Sequence, residues 1–418
     1  MAIGYACLAI GVLDTSIARC ILKNADEYKL REIIHQNLSA LDRLIDYNCK
    51  NQIRLFRISS DLIPFGSHSV NQIKWWEEEK DILKAIGDKM NKAGIRGSMH
   101  PGQYTVLNAF HSEVITNAVH DLIYHDRVLS AMGLDQSSKL ILHIGGVYGD
   151  KKEAMKSFIQ NYNRLPQTVK DRLVIENDDK NYTIQDVLAI SEMTGLPVVY
   201  DQLHHEINPP DSKLSVMEWM DLCKHTWKEK DGRQKIHYSQ QKPGGVAGAH
   251  SETIVLESFL RFYQGLSDPE IDIMLEVKDK NLSAIKCINA IFHNAFAKEL
   301  EEEWAKYHYY VKSKSARLDQ EIRELLRKSR DPVCAEFYQR IEAAISLGED
   351  REAEKDVARH IWKEISPDCT GKERNRYEKL MREYEIGQGS IRPVKHHLFK
   401  CAKERKLEDL TNSLYFYL

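Results

Sequence analysis

The sequence predicts an α/β fold, a TIM (β/α)₈ barrel with an additional C-terminal helical region. Eight apolar, β-favouring segments alternate with amphipathic segments through the first part of the chain. The turn after the first of these segments reads GVLD rather than G-x-G-x-x-G, which disfavours the alternative of a doubly wound open sheet. Strand signals then stop near residue 296. We therefore predict a barrel domain over 1–295 and a charged helical appendage over 296–418.

The predicted strands are short runs rich in Val, Ile, Leu and aromatic residues, as buried parallel strands require. They are AIGYACLAI at 2–10, QIRLFRI at 52–58, GIRGSM at 94–99, KLILHI at 139–144, RLVIEN at 172–177, LPVVYD at 196–201, KIHYS at 235–239 and DIMLEV at 272–277. Helical periodicity between them predicts helices over 26–47, 74–92, 115–132, 182–194 and 213–226.

The appendage differs from the barrel in its composition and sequence pattern. Residues 301–418 hold 24 Lys and Arg against 23 Asp and Glu, in heptad-like stretches such as LDQEIRELLRKSR and YEKLMREYEIG. Breaks are expected at Asp331-Pro332, at Pro367 and at Gly387–Gly389. We interpret the appendage as solvated helices that pack on the outside of the barrel.

One segment of the appendage is strongly basic. SIRPVKHHLFKCAKERK, residues 390–406, contains six Lys and Arg and one acid, Glu404. As a helix it would suit the phosphates of a nucleic acid, or it would be an ordinary basic surface patch. Both interpretations stay open at this level.

Composition limits the class of protein. A hydrophobic content of 42% in 418 residues supports a sizeable core, and no apolar run is long enough for a membrane span. The start of the chain, MAIGYACLAIG, lacks the basic region of a signal peptide. Eight scattered cysteines without a C-x-x-C pair are typical of a reducing compartment. We expect a cytoplasmic protein, nucleoid-associated if bacterial, without a membrane partner.

Metal-binding side chains follow the predicted strands at their C-terminal ends. They are His68, His100, His143, Glu176, Asp201, His204, His237, His250 and Glu276. One such residue would usually be a hydrogen-bonded rim residue or a helix cap. The set converges on one barrel mouth, where buried carboxylates without cations would repel one another. We therefore predict two or three divalent ions that share bridging carboxylates, a site suited to phosphodiester hydrolysis.

Seven spaced motifs then give a resemblance. RISSDLIPFGSH, SMHPGQYTVLN, LHIGG, LVIENDD, YDQLHH, KIHYSQ and AHSE resemble, in this order, the UV damage endonucleases (UvdE/UvsE) over about residues 1–295. The resemblance implies a DNA repair enzyme that nicks the backbone 5′ to UV photoproducts, both cyclobutane pyrimidine dimers and 6-4 photoproducts. It implies Mn²⁺ as the favoured metal, with Zn²⁺ and Mg²⁺ as alternatives, and the nine residues above as ligands. We expect a monomer that acts on double-stranded DNA.

The resemblance also assigns individual roles. Glu176, Glu276 and Lys235 are implied as catalytic, and Lys235 matches a lysine that is carboxylated in family members. A carbamate would be an anionic oxygen ligand, whereas the alternative is an ammonium that pairs with a carboxylate or phosphate.

Three further residues are implied to contact the lesion in DNA. Gln103 and Tyr104 match residues that wedge into the duplex, although Tyr104 would otherwise be a loop anchor that packs under the rim. Tyr5 matches a tyrosine near the lesion pocket. The family usually has an asparagine shortly after that tyrosine, and GYACLAIGV has none.

Other functions remain as alternatives. An endonuclease IV-like apurinic/apyrimidinic enzyme would share the fold and the type of rim, but KIHYSQ and GQYTVLN favour the UV enzymes. A xylose isomerase-like sugar isomerase is a more distant alternative, because that class needs fewer histidines. A binding module formed by the charged C-terminal helices would be compatible with any of these enzyme functions.

Overall fold

The computed structural model describes residues 1–293, 300–328 and 332–418. Two compact units divide the chain. The first comprises Met1–Ala9, Asp14–Ile254 and Ser258–Ile285, and the second comprises Ile10–Leu13, Val255–Glu257 and Lys286–Leu418. The predicted domain boundary at 295 and the predicted break at Asp331 lie outside the described residues, so both remain predictions.

The first unit is a closed barrel of eight parallel strands in sequential order, which confirms the predicted TIM barrel. The strands are β1 Ile3–Ala6, β2 Leu55–Ile58, β3 Arg96–Met99, β4 Lys139–His143, β5 Leu173–Glu176, β6 Val198–Asp201, β7 Lys235–Tyr238 and β8 Asp272–Leu275. Each lies within a predicted segment. The register of β8 on β1 pairs Ile273 with Ile3 and closes the barrel.

Strand β1 is shorter than its apolar run predicts. It ends at Ala6 because Cys7 adopts a left-handed conformation with φ 70°. That conformation is unfavourable for a continuing strand, so the apolar residues after Ala6 are not part of β1.

Helices follow the strands. Along residues 1–293 they are α1 Glu27–Lys50, α2 Trp75–Glu78, α3 Lys80–Ala93, α4 Ser112–Ala131, α5 Lys151–Asn163, α6 Gln167–Arg172, α7 Ile184–Thr194, α8 Gln202–Ile207, α9 Val216–Lys224, α10 Leu256–Gln264 and α11 Asn281–Ile288. The helix predicted over 74–92 is two helices, interrupted at Glu79 with φ −103° and ψ 21°. Helix α7 begins at a capping box between Thr183 and Asp186 and ends at Gly195 in a left-handed conformation.

The barrel interior is layered. Ile141, Val174 and Val199 form an apolar cluster within it. Towards the amino-terminal ends of the strands, ion pairs join the buried Lys139 to Asp231 and the half-buried Arg96 to the buried Asp272. At the carboxyl ends of the strands, the residues that face the barrel interior are polar. The alternation of side chains along each strand thus brings the predicted ligands into the barrel mouth.

The second unit is helical. Its helices after residue 299 are α12 Glu301–Lys314, α13 Ala316–Lys328, α14 Cys334–Ser346, α15 Arg351–Ile365, α16 Gly371–Glu385, α17 Arg392–Glu404 and α18 Glu408–Thr411. Its core includes the fully buried side chains of Tyr338, Ile361 and Leu398. Within the described parts of the chain, no helix combines the length and apolarity that a bilayer crossing requires.

Candidate metal centre

Two groups of side chains that could hold a metal ion, here called the metal-binding groups, lie at the carboxyl ends of the strands. The first contains His100 and His143, the second contains Asp201, His237 and Glu276, and Glu176 belongs to both. Within each group the ligand atoms lie within 4.8 Å of one another. A carboxylate common to two groups is the feature expected of a bridging ligand between two ions.

Glu176 lies at the centre of this arrangement. Its side chain is buried, with Oε1 2.5 Å from His237 Nδ1 and Oε2 3.2 Å from His100 Nε2. His143 Nε2 lies 3.6 Å from the same Oε2. Burial alone would raise the pKa of Glu176, but His237 and His143 hold that pKa well below its usual value. Glu176 is therefore an ionised carboxylate surrounded by imidazoles.

The imidazoles of His100 and His204 are oriented by main-chain carbonyls. His100 Nδ1 donates to Pro101 O at 3.1 Å, and His204 Nδ1 donates to Asn177 O at 3.0 Å. In the neutral imidazole this leaves Nε2 with its lone pair, the arrangement seen in metal-ligating histidines. His100 Nε2 then faces Glu176 Oε2, so two acceptors lie close together. A proton or a cation must stabilise that pair.

Asp201 has an unsatisfied oxygen. Its Oδ1 accepts a hydrogen bond from His204 N at 2.8 Å, whereas no described residue donates to the buried Oδ2. Burial raises the pKa of Asp201 to about 8. The Nδ1 atom of His143 is likewise buried without a partner among the described residues. Buried polar atoms without partners are unfavourable, and a divalent ion would supply one.

Arg57 is a residue of this site that sequence reasoning missed. Its buried guanidinium lies in β2, where Nη2 is 2.5 Å from Glu276 Oε1 and 2.9 Å from His237 Nε2. The signal was an arginine inside the strand, the second of two arginines in the run QIRLFRI and the one that lies within β2, Leu55–Ile58. An arginine buried in a strand is nearly always paired, and the structure supplies that acidic partner as Glu276.

Three predicted ligands lie outside the two groups. His204 Nδ1 is 3.9 Å from Glu176 Oε1, and His250 Nε2 is 4.0 Å from Glu276 Oε2, so both border the groups. His68 is exposed, and its Nδ1 accepts a hydrogen bond from Val70 N. Neither group of described residues includes His68. Its role as a ligand stays a prediction.

Lys235 lies inside the barrel. Its side chain is fully buried, and its Nζ has no hydrogen-bond partner among the described residues. Burial, together with the nearby charges of Arg96 and Arg57, holds the pKa of Lys235 well below its usual value. The amine of Lys235 therefore loses its proton more readily than the ammonium of a surface lysine.

A cavity of about 710 Å³ adjoins the metal-binding groups. Gln103 and Tyr104 line it together with His143 and His204, so the predicted lesion-contacting residues share a cavity with candidate ligands. Tyr104 is 83% exposed. The alternative of a tyrosine that packs under the rim is therefore wrong for this structure. Contact of either residue with DNA stays a prediction.

Tyr5 is buried, whereas the resemblance implies that it contacts the lesion. Its ring is fully buried and packs on Phe56, and its hydroxyl donates to Asn48 of α1 at 2.9 Å. A Cβ at the neighbouring Gly4 would meet Leu55, a member of an apolar cluster with Ala2 and Met274. Because side chains alternate along a strand, Tyr5 points outward to α1. In this conformation its ring is inaccessible to DNA.

Known proteins match both parts of the chain. Residues 2–300 match the family described as UV-endonuclease UvdE, and residues 306–418 match a family described as a protein of unknown function (DUF1722). A UV DNA damage endonuclease from Clostridium perfringens (strain 13 / Type A) is 46% identical over 292 residues, which cover 70% of this chain and 71% of that protein. A UV DNA damage endonuclease from Bacillus cereus (strain G9842) is 31% identical, covering 70% of this chain and 94% of that protein.

A solved structure agrees with these matches. The crystal structure of SacUVDE is 38% identical and superposes with a TM-score of 0.67, covering 70% of this chain and 98% of that chain. The residues that match the family model, 2–300, contain the eight barrel strands and both metal-binding groups. From the sequence motifs, the barrel and these relatives together, we conclude that the chain belongs to the UV-endonuclease UvdE family.

Proposed function

We propose that this protein is a metal-dependent DNA repair endonuclease that nicks the backbone of double-stranded DNA immediately 5′ to UV photoproducts, namely cyclobutane pyrimidine dimers and 6-4 photoproducts. Family membership supports the reaction class. The observation that carries the proposal is the position of Glu176 in both metal-binding groups. Hydrolysis of a phosphodiester is favoured by two ions that share a carboxylate, because the attacking and leaving oxygens both need charge stabilisation.

We propose that the nine predicted ligands hold two or three divalent ions. The donor set of nitrogens and carboxylate oxygens fits Mn²⁺, with Zn²⁺ and Mg²⁺ as alternatives. When bound, such ions supply a hydroxide near neutral pH and charge for the phosphate oxygens. The unsatisfied Asp201 Oδ2 and the acceptor pair of His100 and Glu176 support cation binding here.

The protein's own side chains prepare the site for this chemistry. Arg57 fixes Glu276 and His237, and the main-chain carbonyls fix the rings of His100 and His204. These supports hold the donors in place before DNA binds, which lowers the reorganisation needed during the reaction.

Lesion recognition is assigned to the cavity beside the metal-binding groups. UV photoproducts pair poorly, so extruding them from the duplex costs less than extruding intact bases. Tyr104 and Gln103 would fill the gap left in the duplex, and the exposed position of Tyr104 supports this role. Tyr5 would contact the lesion only if its buried side chain changed position.

We further propose that Lys235 is carboxylated. The neutral amine attacks CO₂, a C–N bond forms, and one proton is released to solvent, which leaves an anionic carbamate. Two features support this: Nζ has no described partner, and the charges nearby include the cations Arg57 and Arg96. An anion would be stabilised there, whereas an ammonium would be repelled.

The domain boundary near residue 295 remains part of the proposal. The matches to the two families change between residues 300 and 306, and the first compact unit ends at Ile285. We propose that the barrel carries the nuclease and that the helical region, residues 296–418, is a separate appendage.

One experiment tests the function directly. End-labelled duplexes that contain a single cyclobutane dimer, a 6-4 photoproduct, an abasic site or no lesion are incubated with the protein, with and without Mn²⁺. We expect metal-dependent nicks whose product ends at the nucleotide 5′ to each photoproduct, with the intact duplex uncut. Cleavage restricted to the abasic duplex would instead support the endonuclease IV-like alternative.

A further inference from the structure

A pair of exposed aromatic rings, Phe110 and Tyr148, lies on the loops beside the metal-binding groups. Their ring centroids are 5.0 Å apart with an interplanar angle of 55°. Phe110 is 62% exposed and Tyr148 is 44% exposed. Adjoining exposed apolar side chains mark interaction sites, and the loops at the carboxyl end of a barrel are where such sites lie.

The two loops that carry these rings also carry the proposed site. Phe110 lies between β3 and α4, in the loop that begins with His100 and contains Gln103 and Tyr104. Tyr148 follows β4, whose last residue is His143. Tyr148 also lines the cavity that contains Tyr104, His143 and His204. The aromatic pair is therefore continuous with the proposed DNA-binding surface.

Hydrogen bonds hold the two loops together. The side-chain amide of Asn108 donates to Gly146 O at 2.7 Å, and the hydroxyl of Tyr182 donates to the same oxygen at 2.9 Å. The amide of Asn161 donates to Leu107 O at 2.8 Å. These hydrogen bonds hold the two loops, and with them the rings, in place, which reduces the entropy lost when a ligand contacts the rings.

The backbone of Tyr148 is itself unusual. Its φ of 49° lies in the left-handed region, which is unfavourable for a bulky residue. A Cβ at Gly146 would lie 3.1 Å from the Tyr148 ring, so the ring rests directly on a glycine. Strain of this kind persists mainly where it serves a function, and here it presents the ring at the cavity.

We propose that Phe110 and Tyr148 form a stacking platform for a nucleobase of the substrate DNA that has left the duplex at a lesion. This inference rests on the proposed function. Aromatic rings suit any base, because every base has a π-face, and no sequence preference follows. The platform and Tyr104 line or border the same cavity, so lesion extrusion places a base within reach of both.

Equilibrium binding tests the platform without cleavage. With metal chelated, fluorescence anisotropy gives dissociation constants for a photoproduct duplex and for the same duplex without a lesion. We expect Phe110→Ala and Tyr148→Ala each to weaken binding to the photoproduct duplex by about 5- to 100-fold, the effect of losing one stacked base. Binding to the intact duplex, which presents no extruded base, should be unchanged.

Control variants separate stacking from folding. Tyr148→Phe and Phe110→Tyr keep the rings and should bind like wild type. Tyr148→Asn removes the ring but tolerates the left-handed backbone, so it should weaken binding as much as Tyr148→Ala. Met193→Ala removes another exposed apolar side chain, 71% exposed near the end of α7, and should have no effect.

The outcomes distinguish this inference from the proposed function. Alanine variants that bind the photoproduct duplex like wild type would overturn the platform, even if the wild type nicks it. Equal weakening on damaged and intact duplexes would also overturn it, since stacking on an extruded base predicts selectivity. A wild type that fails to nick photoproduct DNA with metal present would overturn the proposed function, while the binding measurements still test the platform.

Discussion

Arg57 Nη2 lies 2.5 Å from Glu276 Oε1 and 2.9 Å from His237 Nε2, so one buried cation holds two predicted ligands. Arg57→Gln should lower nicking by about 10- to 100-fold, the usual effect of removing a residue that orients ligands. It should also lower the free energy of unfolding by about 3–5 kcal/mol, because Glu276 loses its buried partner. Denaturant unfolding and nicking assays measure the two effects.

A matched control for Arg57 is Arg19→Gln. Arg19 pairs with Asp61 at 2.7 Å, but both side chains are largely exposed. The free energy of unfolding should therefore change by only about 0–1 kcal/mol. Similar decreases in the free energy of unfolding for Arg57→Gln and Arg19→Gln would contradict a special role for the buried Arg57.

Glu176 and Glu276 should be essential for metal binding. Glu176→Ala and Glu276→Ala should each lower nicking at least about 100-fold, because each removes a charged ligand from the cluster. Elemental analysis should find two or three ions per wild-type chain, activity should vanish with chelator, and Mn²⁺ should restore it best. Glu192→Gln, an exposed change on α7, serves as the control. Fully active protein with one ion or none would refute the multinuclear site.

The sequence predicted the barrel well but not the direction of every side chain. The strands were visible because each is a short apolar run between helical segments. The run AIGYACLAI, however, has no alternation of polar and apolar residues, so nothing in it told which face Tyr5 occupies. The left-handed Cys7, which ends β1, also leaves no compositional signal.

The candidate site was likewise predictable from the sequence only in part. The approach of six predicted ligands to one another was predictable, because the topology of a barrel brings the strand ends together. Arg57 was not, since a lone basic residue in a strand becomes meaningful only when its partner is known. Its contacts with Glu276 and His237 join residues that are far apart in the sequence.

Tyr104 should select damaged over intact DNA. Tyr104→Ala and Gln103→Ala should each reduce discrimination between damaged and intact DNA. Removing the tyrosine ring should weaken binding to damaged DNA by roughly 1–3 kcal/mol, the free energy of one stacking interaction. Metal content should stay at the wild-type value, because neither residue is a ligand. Tyr104→Phe should behave like wild type. If both alanine variants discriminate normally in competition binding, the wedge assignment is wrong.

His308 of α12 should make the second unit sensitive to acid. Burial and the neighbouring Arg323 lower the pKa of His308 to about 4. Below pH 6.5 an unfolded histidine binds a proton that the folded one does not, so the free energy of unfolding should fall as the pH decreases from about 6.5 to 4. In His308→Gln this fall should be smaller. Unfolding measured at several pH values compares the two, and identical pH dependences would contradict the assignment.

The basic segment 390–406 should contribute little to DNA binding. The structure confirms a helix there, α17, but several of its cations are already engaged. Arg405 donates to both carboxylate oxygens of Glu373 at 3.0 Å, and Lys400 lies 3.7 Å from Glu404. An engaged cation must lose its partner before it neutralises a phosphate, which reduces the gain from binding DNA.

Salt dependence tests this expectation in the full-length protein. Arg392→Gln and Lys406→Gln remove cations from the two ends of the segment without touching the Arg405–Glu373 pair. We expect the slope of log K against log salt for duplex binding to equal that of wild type. Each phosphate contact contributes about 0.9 to the slope, so a slope shallower by about 0.9 per removed cation would show that the helix tracks the DNA backbone. Arg405→Gln should instead destabilise the second unit, because it removes the partner of Glu373.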